Sequence, residues 1–437
     1  METIQAYFAR KQEEARLLND ALERPFALDR ACSIEAVIAR KFKLAAALKA
    51  EHALQDWACT ETAWGDDGPH SGPFRFVYDY QRADLKVRGP AVYPAISSLA
   101  AGLFQRTVYT CSGMAAISAV LMALERLSAS AELVAMPGAY GETLELVERH
   151  GRNVRLVRAT NLASVRARRA VGRVLLVDAC LPLRSFEAII GSPPEWFDLI
   201  LFDTTGLWTS SGRVRRVARW ALRAGVPLAF VRSHNKLDSL GVEYGRLGSV
   251  VFVGPARPRR LPPLDRVADE AADALRLFGG AAVPAHFPPF VGDPRYAALS
   301  VRRLAAILRN SRRMAKKLAA SLPAAYGELD FAHRLYVALS PERPVDEQGA
   351  RELADALGRD LGAARLPIRH AGSFGFDFAA AEWFRDTVRD RHVVRIAVPD
   401  LPTEIWDHTV DAIIDWWKQN VGKSAGQGTR APIAAEV

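Results

Sequence analysis

The feature that most constrains the fold of this chain is an alternation of short apolar runs with amphipathic helical patterns, beginning near residue 107. Six runs have strand length: 133–136, 154–157, 174–177, 199–202, 228–231 and 250–253. Between several of them lie the helical patterns Met114 to Leu127, Glu142 to His150 and Val214 to Ala224. A strand that is apolar on both faces must be covered on both, and parallel neighbours need a long crossover that a helix supplies. The alternation therefore predicts an α/β fold, a mostly parallel sheet with helices on both sides. In such sheets ligands gather beyond the carboxyl ends of the strands, so the residues placed there are the first candidates for function.

At 437 residues and 49% apolar, the chain can form one large domain and one smaller one. Two amphipathic helices are expected over Ile4–Leu22 and Ser33–Leu54, followed by a turn-rich stretch from Gly65 to Pro73. The expected division is a helical N-terminal extension (1–75), a large cofactor-binding domain (76–285), a small α+β domain (286–423) and a disordered tail (424–437). A long helix over Tyr296–Leu322 would bridge into the small domain, which would close with a helix over Thr403–Val421.

Several classes are set aside by composition and pattern. No signal-peptide-like run opens the chain and no window reaches the roughly 18 apolar residues of a membrane span, so a cytoplasmic protein with no membrane partner is expected. The four cysteines are far apart with no C-x-x-C spacing, which signals neither a metal site nor a disulfide framework. The net charge of +9 suits anionic ligands, yet the N-terminal helices show no helix-turn-helix pattern, so nucleic acid is not the expected partner. Near the end, Gly422-Lys423-Ser424 has Trp417 where a phosphate loop needs its first glycine.

The strand ends carry chemistry. Lys236 follows the run 228–231 in Ser233-His234-Asn235-Lys236, and Asp203 ends the run 199–202. A lysine amine can be kept unprotonated by burial and nearby charge, and it condenses with an aldehyde, which no arginine does. A buried carboxylate such as Asp203 holds a pyridinium nitrogen in its protonated form, so the pair suits pyridoxal phosphate. Ser112-Gly113-Met114 stands at the start of a predicted helix, where free N–H groups and the helix dipole stabilise a phosphate. On its own that triplet reads equally as a turn capping a helix. Tyr140 follows the run 133–136, where an aromatic ring can stack on a flat heterocycle.

Taken in order, Ser112-Gly113-Met114, Tyr140 to Thr143, Asp203 to Thr205 and Ser233 to Lys236 resemble the motifs of fold-type I pyridoxal phosphate enzymes. Within these, the pattern is most similar to the cystathionine γ-synthase, or Cys/Met metabolism, family. The resemblance spans Tyr80 to the last helix and implies a three-layer sandwich around a mostly parallel seven-stranded sheet, with a smaller α+β C-terminal domain. It implies pyridoxal 5'-phosphate bound as a Schiff base on Lys236, with Ser112, Gly113, Met114, Tyr140, Asp203, Thr205, Ser233 and His234 around it. Tyr80 and Arg82 resemble a Tyr-x-Arg that reaches the phosphate of a neighbouring subunit, which implies a homodimer or a dimer of dimers. Ser373 and Arg395 would bind the carboxylate of an amino acid substrate, Lys236 would take its α-proton, and Tyr140 would stack and assist proton transfer.

Departures cluster after the lysine. Asn235 replaces a threonine, His234 fills a position that is usually small, and Leu237 to Gly241 replaces an aromatic and Gly-His run. Asp178 to Pro182 stands where an Asn-Pro loop belongs. The expected activity is β- or γ-elimination or replacement in a specialised biosynthetic pathway. An aminotransferase is the first alternative and a non-enzymatic, cofactor-binding regulator the second.

Overall fold

The computed structural model describes residues 2–55, 70–77, 86–167, 171–256, 260–326 and 331–421. The chain opens with α1 (Ile4–Asn19) and α2 (Ile34–Gln55), then a small antiparallel sheet of β1 (His70–Ser71), β2 (Phe74–Val77) and β3 (Lys86–Arg88). The central sheet follows, from β4 (Phe104–Thr110) through β5 (Ala131–Ala135), β6 (Val154–Arg158), β7 (Gly172–Asp178), β8 (Leu199–Asp203) and β9 (Leu228–Ser233) to β10 (Gly248–Gly254). These seven strands lie in the order β4-β10-β9-β8-β7-β5-β6. All pairs are parallel except those of β10, which runs against both β4 and β9.

All six apolar runs are strands of this sheet. Strands β5, β7 and β10 are buried along their whole length, as runs apolar on both faces require. The helices that connect or cover them are α3 (Gly113–Leu127), α4 (Gly141–His150), α5 (Leu183–Ile190), α6 (Gly212–Arg223) and α7 (Leu264–Phe278). In α6, Val214, Val217, Ala218 and Ala221 face the core while Arg215, Arg216, Arg219 and Arg223 are exposed. These four arginines thus form the solvated face of an amphipathic helix.

The chain then enters α8 (Pro294–Ser321), β11 (Tyr336–Leu339), α9 (Glu347–Ala363), β12 (Ile368–His370), β13 (Ala379–Asp386), β14 (Arg391–Ala397) and α10 (Thr403–Asn420). The second sheet has the order β11-β14-β13-β12, with only β12 and β13 parallel. Its core joins Ile396, Leu357 and Trp406 to Tyr7 of α1 and Val37 of α2. The same two helices pack Leu18 and Leu48 into a further cluster with Leu240, Tyr244 and Phe290. Among the described residues no helix is long and apolar enough to cross a membrane. The turn-rich stretch 65–69, the pair Tyr80 and Arg82, and the tail 424–437 lie outside the described residues.

Candidate functional site

At the carboxyl ends of the parallel strands lies a cavity of about 300 Å³. Ser112, Gly113 and Met114 line it from the start of α3, Tyr140 from the start of α4, and Asp178 from the end of β7. Asp203 and Thr205 come from the end of β8, Ser233 and Lys236 from the end of β9, and Tyr336, Phe374 and Arg395 from the small domain. Larger hollows of about 630 and 620 Å³ lie beside α3 and α4 and beside α9 and α10, away from these strand ends. Of the candidates within the described residues, the cavity lining thus gathers every one except His234 and Ser373.

Lys236 lies between the two domains' contributions. Its Nζ donates to Ser373 Oγ at 2.5 Å and stands 3.6 Å from Glu243 Oε1. Ser373 Oγ in turn donates to Glu243 Oε1 at 2.9 Å, so amine, hydroxyl and carboxylate form a relay. Ser373 is therefore a partner of the amine itself. Glu243 was not evident from the sequence, because it lies seven residues past Lys236 and reaches it only through a loop with left-handed backbone, Leu240 φ 52° and Glu243 φ 46°.

Asp203 lines the cavity from the end of β8. Its Oδ1 accepts from Thr205 N at 2.9 Å and Thr205 Oγ1 at 2.6 Å, and Thr205 Oγ1 accepts from Ser233 N at 3.0 Å. Thr205 is thus committed to fixing Asp203 and the strand beside it. Burial raises the Asp203 carboxyl above the usual range, against the pull of its Thr205 bonds and of Arg232. Asp178 lies in register with Asp203 on the adjacent strand. Its Oδ2 accepts Tyr140 N at 2.6 Å and its Oδ1 accepts Cys180 N at 2.6 Å, which ties the Tyr140 turn to the end of β7. Burial first, and then the charge of Asp203, push Asp178 up to about 7. Two neighbouring acids that resist ionising together favour a cationic or N–H-bearing ligand between the strand ends.

A helix start adjoins them. Ser112 caps α3, its Oγ accepting Ala115 N at 3.0 Å, and the N–H groups of Gly113 and Met114 in the first turn have no intrahelical acceptor. On the small-domain side, Arg395 Nε donates to Glu382 Oε1 at 2.9 Å, and its guanidinium lies 4.3 Å from the ring centroids of both Tyr336 and Phe384. Its Nη1 is buried with no hydrogen-bond partner among the described residues. Arg395 lines the cavity, and a planar guanidinium is matched to a carboxylate.

One expected ligand is displaced. His234 Nδ1 pairs with Asp238 Oδ2 at 2.8 Å and Nε2 with Ser249 Oγ at 2.9 Å, so both ring nitrogens are occupied and the residue does not line the cavity. The reason is strand alternation: Ser233 faces the cavity, and the next side chain points away. Arg232 Nε and Nη2 grip Asp238 at 2.6 Å each, while Arg232 Nη1 donates to the carbonyls of Thr204 and Leu207. Burial pushes the Asp238 carboxyl up, but Arg232 and His234 more than reverse it, holding it well below the usual range. The segment 237–241 that departs from the family pattern is thus anchored by its own buried ion pair.

No family model matches the chain, and no curated protein matches it in sequence. Solved structures do match in fold. A cystathionine gamma synthase from Xanthomonas oryzae pv. oryzae, in complex with aminoacrylate and cysteine, superposes with a TM-score of 0.52 at 17% identity, covering 84% of this chain and 97% of its own. An aromatic amino acid aminotransferase from Burkholderia cenocepacia gives 0.50 at 19%, covering 87% of each chain. The metY protein of Campylobacter jejuni subsp. jejuni, solved with N'-pyridoxyl-lysine-5'-monophosphate, gives 0.50 at 14%, covering 73% of this chain and 83% of its own. At these identities the likeness establishes the fold, which is the one the sequence motifs imply.

Proposed function

We propose that this chain is a pyridoxal 5'-phosphate-dependent enzyme acting on an amino acid, by elimination or replacement at the β or γ carbon. The observation that carries the reading is the convergence on one cavity of the Lys236 amine, the Asp203 carboxylate, the start of α3 and the Arg395 guanidinium. These groups fit the cofactor: an amine for its aldehyde, a buried acid for its ring nitrogen, helix N–H groups for its phosphate, and Tyr140 for its ring face. The pyridoxyl-lysine in one structure of the same fold supports this fit. The cofactor, when bound, supplies an electron sink for bonds broken at the substrate's α-carbon.

This chain's residues supply the rest. Arg395 Nη1 receives the substrate carboxylate, its partner Glu382 and the flanking rings holding the guanidinium plane. Lys236 Nζ, as free amine, takes the α-proton, and Ser373 Oγ and Glu243 Oε1 form a path by which it is passed on. Burial first, and then the charge of Glu142, raise the Tyr140 hydroxyl above its ordinary pKa, which suits it to stacking and to donating a hydrogen bond. The start of α3 offers backbone N–H groups and the Ser112 cap, and Tyr80 and Arg82 of a second copy are proposed to add a phenol and a guanidinium to it.

The test is an absorbance spectrum of the purified protein with pyridoxal 5'-phosphate, followed by borohydride reduction and peptide mapping. A visible band trapped on Lys236 is expected; a label on other lysines, or none, rejects the reading. Incubation with β- and γ-substituted amino acids should then release the side-chain leaving group, together with a keto acid and ammonia on elimination, or with a newly substituted amino acid when a thiol is supplied for replacement. Amino-group transfer to a keto acid with no loss of the side-chain group would instead favour the aminotransferase reading, which the aminotransferase of the same fold supports.

A further inference from the structure

Residues 2–55 contribute no side chain to the cavity, yet they reach both loops that surround the Lys236 amine. Lys11 and Glu14 of α1, Lys41 of α2, Arg303 of α8, and Asp377 and Asp400 form a cluster whose side chains are all at most 5% exposed. Carboxylate oxygens of Glu14, Asp377 and Asp400 lie within 4.8 Å of one another, a spacing that would suit a metal ion. Here the cations are the protein's own. Lys11 Nζ lies 2.6 Å from Asp377 and 2.7 Å from Asp400, and Lys41 Nζ lies 2.5 Å from Glu14 and 2.7 Å from Asp377.

The cluster grips backbone as well as charge. Lys41 Nζ donates to the carbonyl of Leu240, and Arg303 Nη2 donates to the carbonyl of Gly375 at 2.8 Å. A Cβ at Gly241 would fall 2.5 Å from Arg303 Nη2, so the 237–243 loop rests directly on the cluster. Left-handed backbone at Leu240 and Glu243 is costly for side chains of that kind and persists only where the surroundings enforce it. From these two loops come Glu243 and Ser373, the partners of Lys236 Nζ.

We propose that Lys41 is a positioning residue for Lys236: the charge cluster that the N-terminal helices complete holds the 237–243 and 372–377 loops so that Glu243 and Ser373 meet the amine. This rests on Lys236 being the cofactor lysine. Removing Lys41 alone would strand buried carboxylates and unfold the cluster, whereas Lys41→Met with Glu14→Gln removes one charge of each sign.

The experiment compares the full-length wild type and this double variant by amide hydrogen exchange without cofactor, then by titration with pyridoxal 5'-phosphate. In a folded double variant, both loops should exchange roughly tenfold faster while the central strands do not change. With cofactor added, the pH midpoint of its visible band should shift and kcat should fall by about tenfold with KM within about twofold. Unchanged loop exchange, or an unchanged band and kcat, overturns the proposal. The wild type alone gives a second measurement: the two loops should open together with α1 and α2, and loops that exchange roughly tenfold faster than those helices overturn it. A wild type that forms no band on Lys236 rejects the enzymatic reading and leaves the exchange result to stand separately.

Discussion

Lys236 owes its place in the site to what its nitrogen touches, a serine hydroxyl and a carboxylate delivered by two different loops. Lys236→Ala should therefore abolish borohydride-trapped cofactor and lower turnover by roughly a thousandfold or more, measured by peptide mapping and initial rates. Asp178 predicts a pH dependence. Its folded pKa, raised to about 7, lies above its unfolded value, so the folded protein keeps a proton that the unfolded chain releases. The stability this contributes is complete below about pH 4 and is lost as pH rises through about 7. The melting temperature of the cofactor-free protein should fall across that window, and Asp178→Asn should flatten the fall. Lys236, Asp203 and Ser112 were legible because each sits next to an apolar run whose end is a place in space. Glu243 was not, because its reach depends on a loop conformation that no local pattern encodes. His234 was misplaced because adjacency in sequence along a strand end means opposite faces.

At the scale of elements, β10 presses closely on the start of α3. A Cβ at Gly248 would lie 2.2 Å from the backbone oxygen of Ser112, so Gly248→Ala must push the helix start outward. The variant should fold and bind pyridoxal 5'-phosphate at least about tenfold more weakly, read by titration of the visible band. Ser112→Ala should cost about 1 kcal/mol in chemical denaturation, because its Oγ caps the Ala115 N–H. The helices α1 and α2 were legible as elements from their amphipathic spacing. Their destination was not, since Lys11 and Lys41 pair with Asp377 and Glu14 with Arg303, partners hundreds of residues away.

For the whole molecule, the proposed second-copy contribution of Tyr80 and Arg82 makes cofactor affinity depend on assembly. Size-exclusion with light scattering should give a dimer or a dimer of dimers, and Arg82→Ala should weaken cofactor binding by roughly tenfold without dissociating it. A monomer that binds the cofactor tightly would rule this out. The sequence by itself determined the central sheet, its covering helices and the strand-end positions of Lys236, Asp203 and Tyr140, because periodicity and turn chemistry are local properties that a chain writes directly. Only the tertiary structure decided that Ser373 and Glu243 share the Lys236 amine and that His234 hydrogen-bonds to Asp238, the buried ion-pair partner of Arg232. It also decided that the N-terminal helices close a charge cluster behind the site. Each of those outcomes pairs groups far apart in sequence or reached through non-repeating loops, and their partners are chosen by desolvation, which exists only once the chain has packed.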